Sequence, residues 1–159
     1  MTTERRQPDV MDRQNITVKV VETPAELEGV FSLRIRVFVG EQGVPADIEL
    51  DEADTDPGTV HAVALHEGVV IGTGRLLPDV DGKGPHIGRM AVEQDRRRAG
   101  VGGQVLNFLE DQGRARGFRQ STLHAQEYVK SFYAGHGYRE VGDIFEEAGI
   151  PHREMVKEL

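Results

Sequence analysis

The most constraining stretch of the 159-residue chain lies between Arg89 and Gly103. Arg89-Met90-Ala91-Val92 has strand character, and Arg96-Arg97-Arg98-Ala99-Gly100-Val101-Gly102-Gly103 then crowds arginine and glycine into one turn. Beyond it, Val105, Leu106 and Leu109 set an apolar helical stripe that runs from Gly103 to near Gly117. A strand that turns through glycines into a helix leaves several amide N–H groups without an internal acceptor. Those donors and the helix dipole favour an anion. Gly100 and Gly102 let the main chain approach phosphate oxygens, and the arginines add attraction. On glycine spacing alone, the turn serves equally well as an ordinary helix start packed on a sheet. Other phosphate loops fit worse. Gly82-Lys83 has Leu77 where a Walker A loop needs its first glycine, and Gly84 follows the lysine. Val105 stands where the dinucleotide fingerprint needs its last glycine.

The flanking pattern predicts a mixed α/β domain over residues 15–159 behind a polar tail, residues 1–14. Ile16 to Val21 reads as a strand. Thr23-Pro24-Ala25-Glu26 combines an N-cap, a first-turn proline and a capping-box glutamate, opening a helix to about Val39. Val60–His66 and Val69–Leu77 read as a hairpin turning at Glu67-Gly68, and His86–Val92 as a further strand. Phe118–His124 is expected as a strand and Glu127–His136 as a short helix closed by Gly137. Tyr138–Val141 and His152–Val156 are expected as a last strand pair, with Gly149-Ile150-Pro151 between them.

Charge narrows the function classes. The chain carries a net charge of −8, which argues against a nucleic-acid partner. Seven acidic residues and no lysine or arginine fall between Glu41 and Asp56. An anionic window apart from a cationic triplet is what a site for one cation and one anion needs, although isolated charge runs are commonly solvated loops. With no cysteine in the sequence there are no disulfides, thiolate metal sites or thiol nucleophile. His61 and His66 lie five apart, a poor match to one helical face, and HExxH is lacking, so no metal is expected. No apolar run suits a membrane span and Met1 to Gln14 lacks a signal-peptide centre, so a cytoplasmic protein without a membrane partner is the expectation.

Arg97-x-x-Gly100-x-Gly102, after its Arg-Met-Ala-Val strand, resembles the acetyl-CoA-binding motif of the GNAT N-acetyltransferase superfamily. Gln126-x-x-Val129-x-x-Phe132-Tyr133-x-x-x-Gly137-Tyr138 resembles its second motif, with Val129 where alanine is usual. Arg34-x-x-Val37-Phe38-Val39-x-Glu41-Gln42-Gly43-Val44-Pro45 and Phe145-x-x-x-Gly149-Ile150-Pro151-His152-x-x-Met155 resemble the ElaA-type branch. The similarity spans residues 16–159.

The resemblance implies a mostly antiparallel sheet flanked by helices and splayed between the Arg89–Val92 and Phe118–His124 strands. In that gap the pantetheine of acetyl-CoA would bond Met90, Ala91 and Val92 as an added strand, with Gln126 on the other wall. The pyrophosphate would lie on Arg97, Arg98, Ala99, Gly100, Val101, Gly102 and Gly103. A backbone N–H near Val92 would meet the oxyanion, and Tyr133, a phenol near pKa 10, would protonate the leaving thiolate. The base is left open among Glu41, Glu49, Asp51, His61, His124, His152 and a water chain; Glu41 is preferred because it lies in the branch-specific segment.

The reading is an acetyl-CoA-dependent N-acetyltransferase acting on the primary amine of a small cationic molecule. A protein N-terminal or lysine acetyltransferase and an acetyl-CoA sensor without turnover are the alternatives. The superfamily often dimerises, and an apolar C-terminal hairpin would offer an edge for a homodimer.

Overall fold

The computed structural model describes residues 15–159, so the expected polar tail lies outside the described residues. The β-branched run Ile16–Val20 forms β1. Helix α1, Pro24–Arg34, starts at the expected capping box: Glu26 N–H donates to Thr23 Oγ1 at 3.1 Å, and Thr23 N–H donates to Glu26 Oε1 at 3.2 Å. It does not run on as a regular α-helix to Val39. Ile35–Glu41 is wound as a π-helix, a local widening often found where a helix serves a site. A short helix α2, Ala46–Glu49, follows in the acidic segment.

Strands β2 (Val60–His66) and β3 (Val69–Leu77) close at Glu67-Gly68, whose φ values of 52° and 78° make the left-handed turn a hairpin requires. Strand β4 is His86–Val92, and helix α3, Val101–Ala115, begins two residues before the expected start. Val105, Leu106 and Leu109 of α3 are fully buried in the core shared with β2, β3 and β4. Strand β5 spans Gln120–Gln126, later than expected because Gly117 and Phe118 still belong to the turn that closes α3. A 3-10 turn over Glu127–Val129 precedes α4, Lys130–Gly135.

The last two strands, β6 (Arg139–Glu147) and β7 (Ile150–Glu158), are longer than their sequence pattern suggests. The turn is Ala148-Gly149, with φ of 52° and 76°, so Ile150 and Pro151 are in β7 rather than in the loop. The seven strands are ordered β1-β2-β3-β4-β5-β7-β6, antiparallel except for β4 beside β5. The outermost strand, β6, is exposed and carries Arg139, Glu140, Asp143, Glu146 and Glu147. The C-terminal hairpin edge is therefore mainly charged rather than apolar, since Val141 and Ile144 are its exposed apolar side chains.

Candidate active site

The parallel neighbours β4 and β5 share a single register pair among the described residues, His86 with Thr122. Beyond it they diverge. On its other edge β4 pairs with β3, but Ala91 faces Thr73 while Gly88 faces Arg75, so Arg89 and Met90 together oppose Gly74. This β-bulge bends β4 away from β5. Arg89 takes φ of 51° within it. Gly74 makes room for the bend, because a Cβ there would stand 2.6 Å from Met90 Sδ and 2.8 Å from Leu109 Cδ1. The divergence opens a groove of about 1050 Å³.

At one end of the groove Gly100, at φ 84°, is the N-cap of α3, and Arg98 is also left-handed at φ 65°. First-turn amides at Val101, Gly102 and Gly103 have no acceptor within the helix. Arg98, Gly100, Val101, Gly102 and Gly103 all line the groove, whereas Ala99 is buried away from its lining. Arg97 lines it too, but its guanidinium is already committed. Its Nε donates to the Val92 carbonyl at 3.0 Å, and its two terminal nitrogens donate to both Glu41 oxygens at 2.7 and 2.9 Å. Arg97 ties the loop to β4 and to the π-helix.

Met90, Ala91 and Val92 form one wall, with Gln126, Phe132 and Tyr133 opposite. Tyr133 packs edge-on against Phe132 and Tyr138, and burial holds its hydroxyl well above the ordinary phenol range. The expected pKa near 10 is therefore too low, and the phenol stays protonated as a donor. Gln126 Nε2 donates to Gln42 Oε1 at 2.6 Å, and Gln42 Nε2 donates to the Tyr128 hydroxyl at 3.1 Å. Gln42 is a groove residue that the sequence reading did not select. Its only signal was its place beside Glu41, and the π-helix is what carries it across to β5.

Four carboxylates of the acidic window are held by arginines. Glu41, the preferred base, lies outside the groove lining, and both its oxygens are held by Arg97. Glu49, Asp51 and Asp54 are met by Arg34, Arg75 and Arg89. Arg34 is 1% exposed, its Nε 3.0 Å from Glu49 and its Nη1 2.7 Å from Asp54. Arg75 Nη1 reaches Asp51 at 2.7 Å and Asp54 at 2.9 Å, while Arg89 reaches Glu49 at 3.1 Å and Asp51 at 3.3 Å. Burial alone would raise the Asp54 carboxyl, but bonds from Arg34 and the Asp51 amide, with the Arg75 charge, bring it down to about 2. His61 is buried with Nε2 3.0 Å from the Asp54 carbonyl, also away from the groove lining. Glu49, Asp51 and Asp54 are thus balanced by three arginines, with Glu49 and Asp51 still in the groove lining, while Asp47, Glu52 and Asp56 are exposed.

Of the base candidates, Glu49, Asp51, His124 and His152 line the groove; the two histidines stand at the end opposite the glycine loop, together with His86 and Glu147. Among the described residues no group of three or more His, Cys, Asp or Glu side chains has metal-binding geometry, and no helix is long and apolar enough to cross a membrane.

A sheet parted beside a glycine-capped helix is the arrangement of the acetyltransferase (GNAT) domain, whose family model matches residues 22–159. The chain belongs to this acetyltransferase family, which uses acetyl-CoA as co-substrate. Among its relatives, N-acetyltransferase YjcF of Bacillus subtilis, itself uncharacterised, is 36% identical over 87% of this chain and 97% of that protein. ElaA of Escherichia coli is 30% identical in sequence over 85% of this chain and 89% of its own; in its crystal structure it superposes with a TM-score of 0.79 over 90% of this chain and 99% of that one. An acyl-CoA N-acyltransferase from Pseudomonas aeruginosa superposes with a TM-score of 0.78 at 30% identity, over 89% of this chain and 97% of that one.

Proposed function

We propose that this enzyme transfers the acetyl group of acetyl-CoA directly to the primary amine of a small molecule that arrives as an ammonium cation. The observation that carries the reading is the single groove, which runs from the Gly100 turn past Met90–Val92 and Tyr133 to the ionisable side chains beyond.

Each part of the groove has a job that its own chemistry suits. The amides of Val101, Gly102 and Gly103, with Arg98, receive the pyrophosphate. Arg97 holds the loop in place through Glu41 and Val92. The free edge of β4 at Met90, Ala91 and Val92 takes the pantetheine arm as an added strand, and Gln126 exchanges its Gln42 partner for the arm's amides. A backbone N–H near Val92 meets the developing oxyanion. Tyr133, kept protonated by burial, delivers a proton to the departing sulfur.

Because Glu49 and Asp51, the groove's other carboxylates, are already met by arginines, the pull on a cation falls to Glu147 at the far end, whose neighbours are histidines. A homodimer and a cytoplasmic site of action belong to the same proposal; the absence of cysteine from the sequence is compatible with a reducing compartment. The test is a panel of primary amines followed by release of free CoA thiol. Turnover with small cationic amines, weakening as ionic strength rises, is the expected result. A preference for neutral or anionic acceptors overturns the charge assignment, and a wild type that binds acetyl-CoA but never releases thiol is a sensor.

A further inference from the structure

The groove end farthest from the glycine loop gathers side chains that the thiol-side chemistry leaves unused. On β5 and β7, Gln126 faces His152 and His124 faces Glu154; on β6 and β7, Phe145 faces His152 and Glu147 faces Ile150. This register brings His124, His152 and Glu147 together although they come from three strands. His124 Nδ1 is 3.1 Å from Glu147 Oε1, and His152 Nε2 is 3.6 Å from Glu147 Oε2. Phe145 meets His124 edge-on at 4.9 Å and stacks on His152 at 5.9 Å. His86, at the start of β4, lies edge-on to His124 at 5.3 Å, and its buried Nε2 has no hydrogen-bond partner.

With Nδ1–H donated to Glu147, the His124 ring keeps Nε2 as its lone-pair acceptor. Gln126 and His124 are two residues apart on one face of β5. His124 is thus one side-chain step, ~7 Å, from the residue proposed to touch pantetheine. The unpartnered His86 nitrogen beside it is a buried polar atom that a polar group of the acceptor would satisfy.

We infer that His124, oriented by Glu147, is the proton acceptor for the acceptor ammonium, and that His86 and His152 wall the amine subsite, with Phe145 packed behind the histidines. The inference rests on the transferase reading above. One N–H bond of the ammonium breaks and its proton passes to His124 Nε2, leaving a neutral amine with the pair that forms the new C–N bond. The C–S bond breaks, the sulfur takes a proton from Tyr133, and the amide nitrogen returns one to Tyr133. The His124 proton then leaves to solvent, so each turnover releases one proton.

The charged and titratable groups around the couple favour this assignment. Glu147 and, more distantly, Glu154 raise His124, while Lys83 opposes them. His124, His152 and Arg89 hold the Glu147 carboxyl below its ordinary value, so it remains an anion. Burial and the neighbouring His124 lower His86, which therefore stays neutral beside an incoming cation.

The test compares wild type, His124→Gln and Glu147→Gln. It reads kcat/KM against pH with the best amine of the panel, acetyl-CoA affinity by calorimetry, and the His124 ring resonance by NMR without any ligand. His124→Gln is expected to lose about 100-fold in kcat/KM, together with the near-neutral acid limb, at unchanged acetyl-CoA affinity. Glu147→Gln is expected to keep that limb but move it to lower pH, and the His124 resonance should titrate lower in the same variant. A His124→Gln enzyme within threefold of wild type with its limb intact overturns the inference. So does a His124 resonance that titrates identically with and without Glu147. If the wild type itself releases no thiol with any amine, the transferase reading falls and the base role falls with it, an outcome distinguishable because no wild-type rate exists to lose.

Discussion

Arg97 grips both carboxylate oxygens of Glu41 across 56 residues of chain, at 2.7 and 2.9 Å, while its Nε holds the end of β4 through the Val92 carbonyl. One arginine therefore joins the π-helix, the glycine loop and the splayed strand. Glu41 holds the Arg97 guanidinium fully charged, and both partners are about one-third exposed, so the pair's contribution to stability is small.

If Glu41 is a strut, Glu41→Gln should lower acetyl-CoA affinity by a few-fold, measured by calorimetry, and leave the shape of the pH–rate profile unchanged. Loss of about 100-fold in kcat with a vanished acid limb would return Glu41 to the role of base.

Tyr133→Phe removes one hydroxyl from a buried ring and keeps its packing against Phe132 and Tyr138. We expect kcat to fall about 100-fold with acetyl-CoA affinity unchanged. Equal turnover by the two proteins would leave thiol protonation to solvent.

Gly100 occupies φ of 84° at the start of α3, where a β-branched residue is strained by about 1–2 kcal/mol. Gly100→Val is expected to abolish acetyl-CoA binding in calorimetry while lowering Tm by a few degrees. Unchanged affinity in a folded variant would remove the pyrophosphate from this turn.

Asp54 has a folded pKa depressed from 3.8 to about 2, so its stabilisation is present above pH ~4 and is lost as pH falls toward 2. That difference is worth about 2 kcal/mol. Acid titration followed by circular dichroism should show this loss for wild type. Asp54→Asn should be destabilised at neutral pH by ~3–5 kcal/mol, since it strips a carboxylate from two buried arginines. A variant as stable as wild type would make these arginine–carboxylate pairs energetically neutral.

How much of this was legible beforehand differs from place to place. The capping box at Thr23, the hairpin at Glu67-Gly68 and the turn into α3 carry their signals within a few adjacent residues; the first two are found where the pattern puts them, and α3 starts only two residues early. Residues of the glycine turn and of β4 occupy one groove with Gln126 and Tyr133, because motif spacing follows the strand–helix unit that holds them. The π-helix left no local mark. Gln42, just beyond it, meets Gln126 across 84 residues of chain, a contact that no local pattern announces. The lengths of β6 and β7 were understated for a similar reason, since Ile150 and Pro151 look like loop until β6 pairs with them.

By itself the sequence determined the family, the strand–turn–helix that lines the groove, and the presence of a strongly acidic segment. Only the tertiary structure decided what that acid is for. Charge in a sequence is counted residue by residue, but a carboxylate attracts a ligand only if no nearer cation has claimed it. Arg34, Arg75 and Arg89, all remote in sequence from the window's core, meet Glu49, Asp51 and Asp54 inside the fold, and Arg97 meets Glu41. The carboxylate facing the far end of the groove is instead Glu147, set beside His124 by the register of three strands.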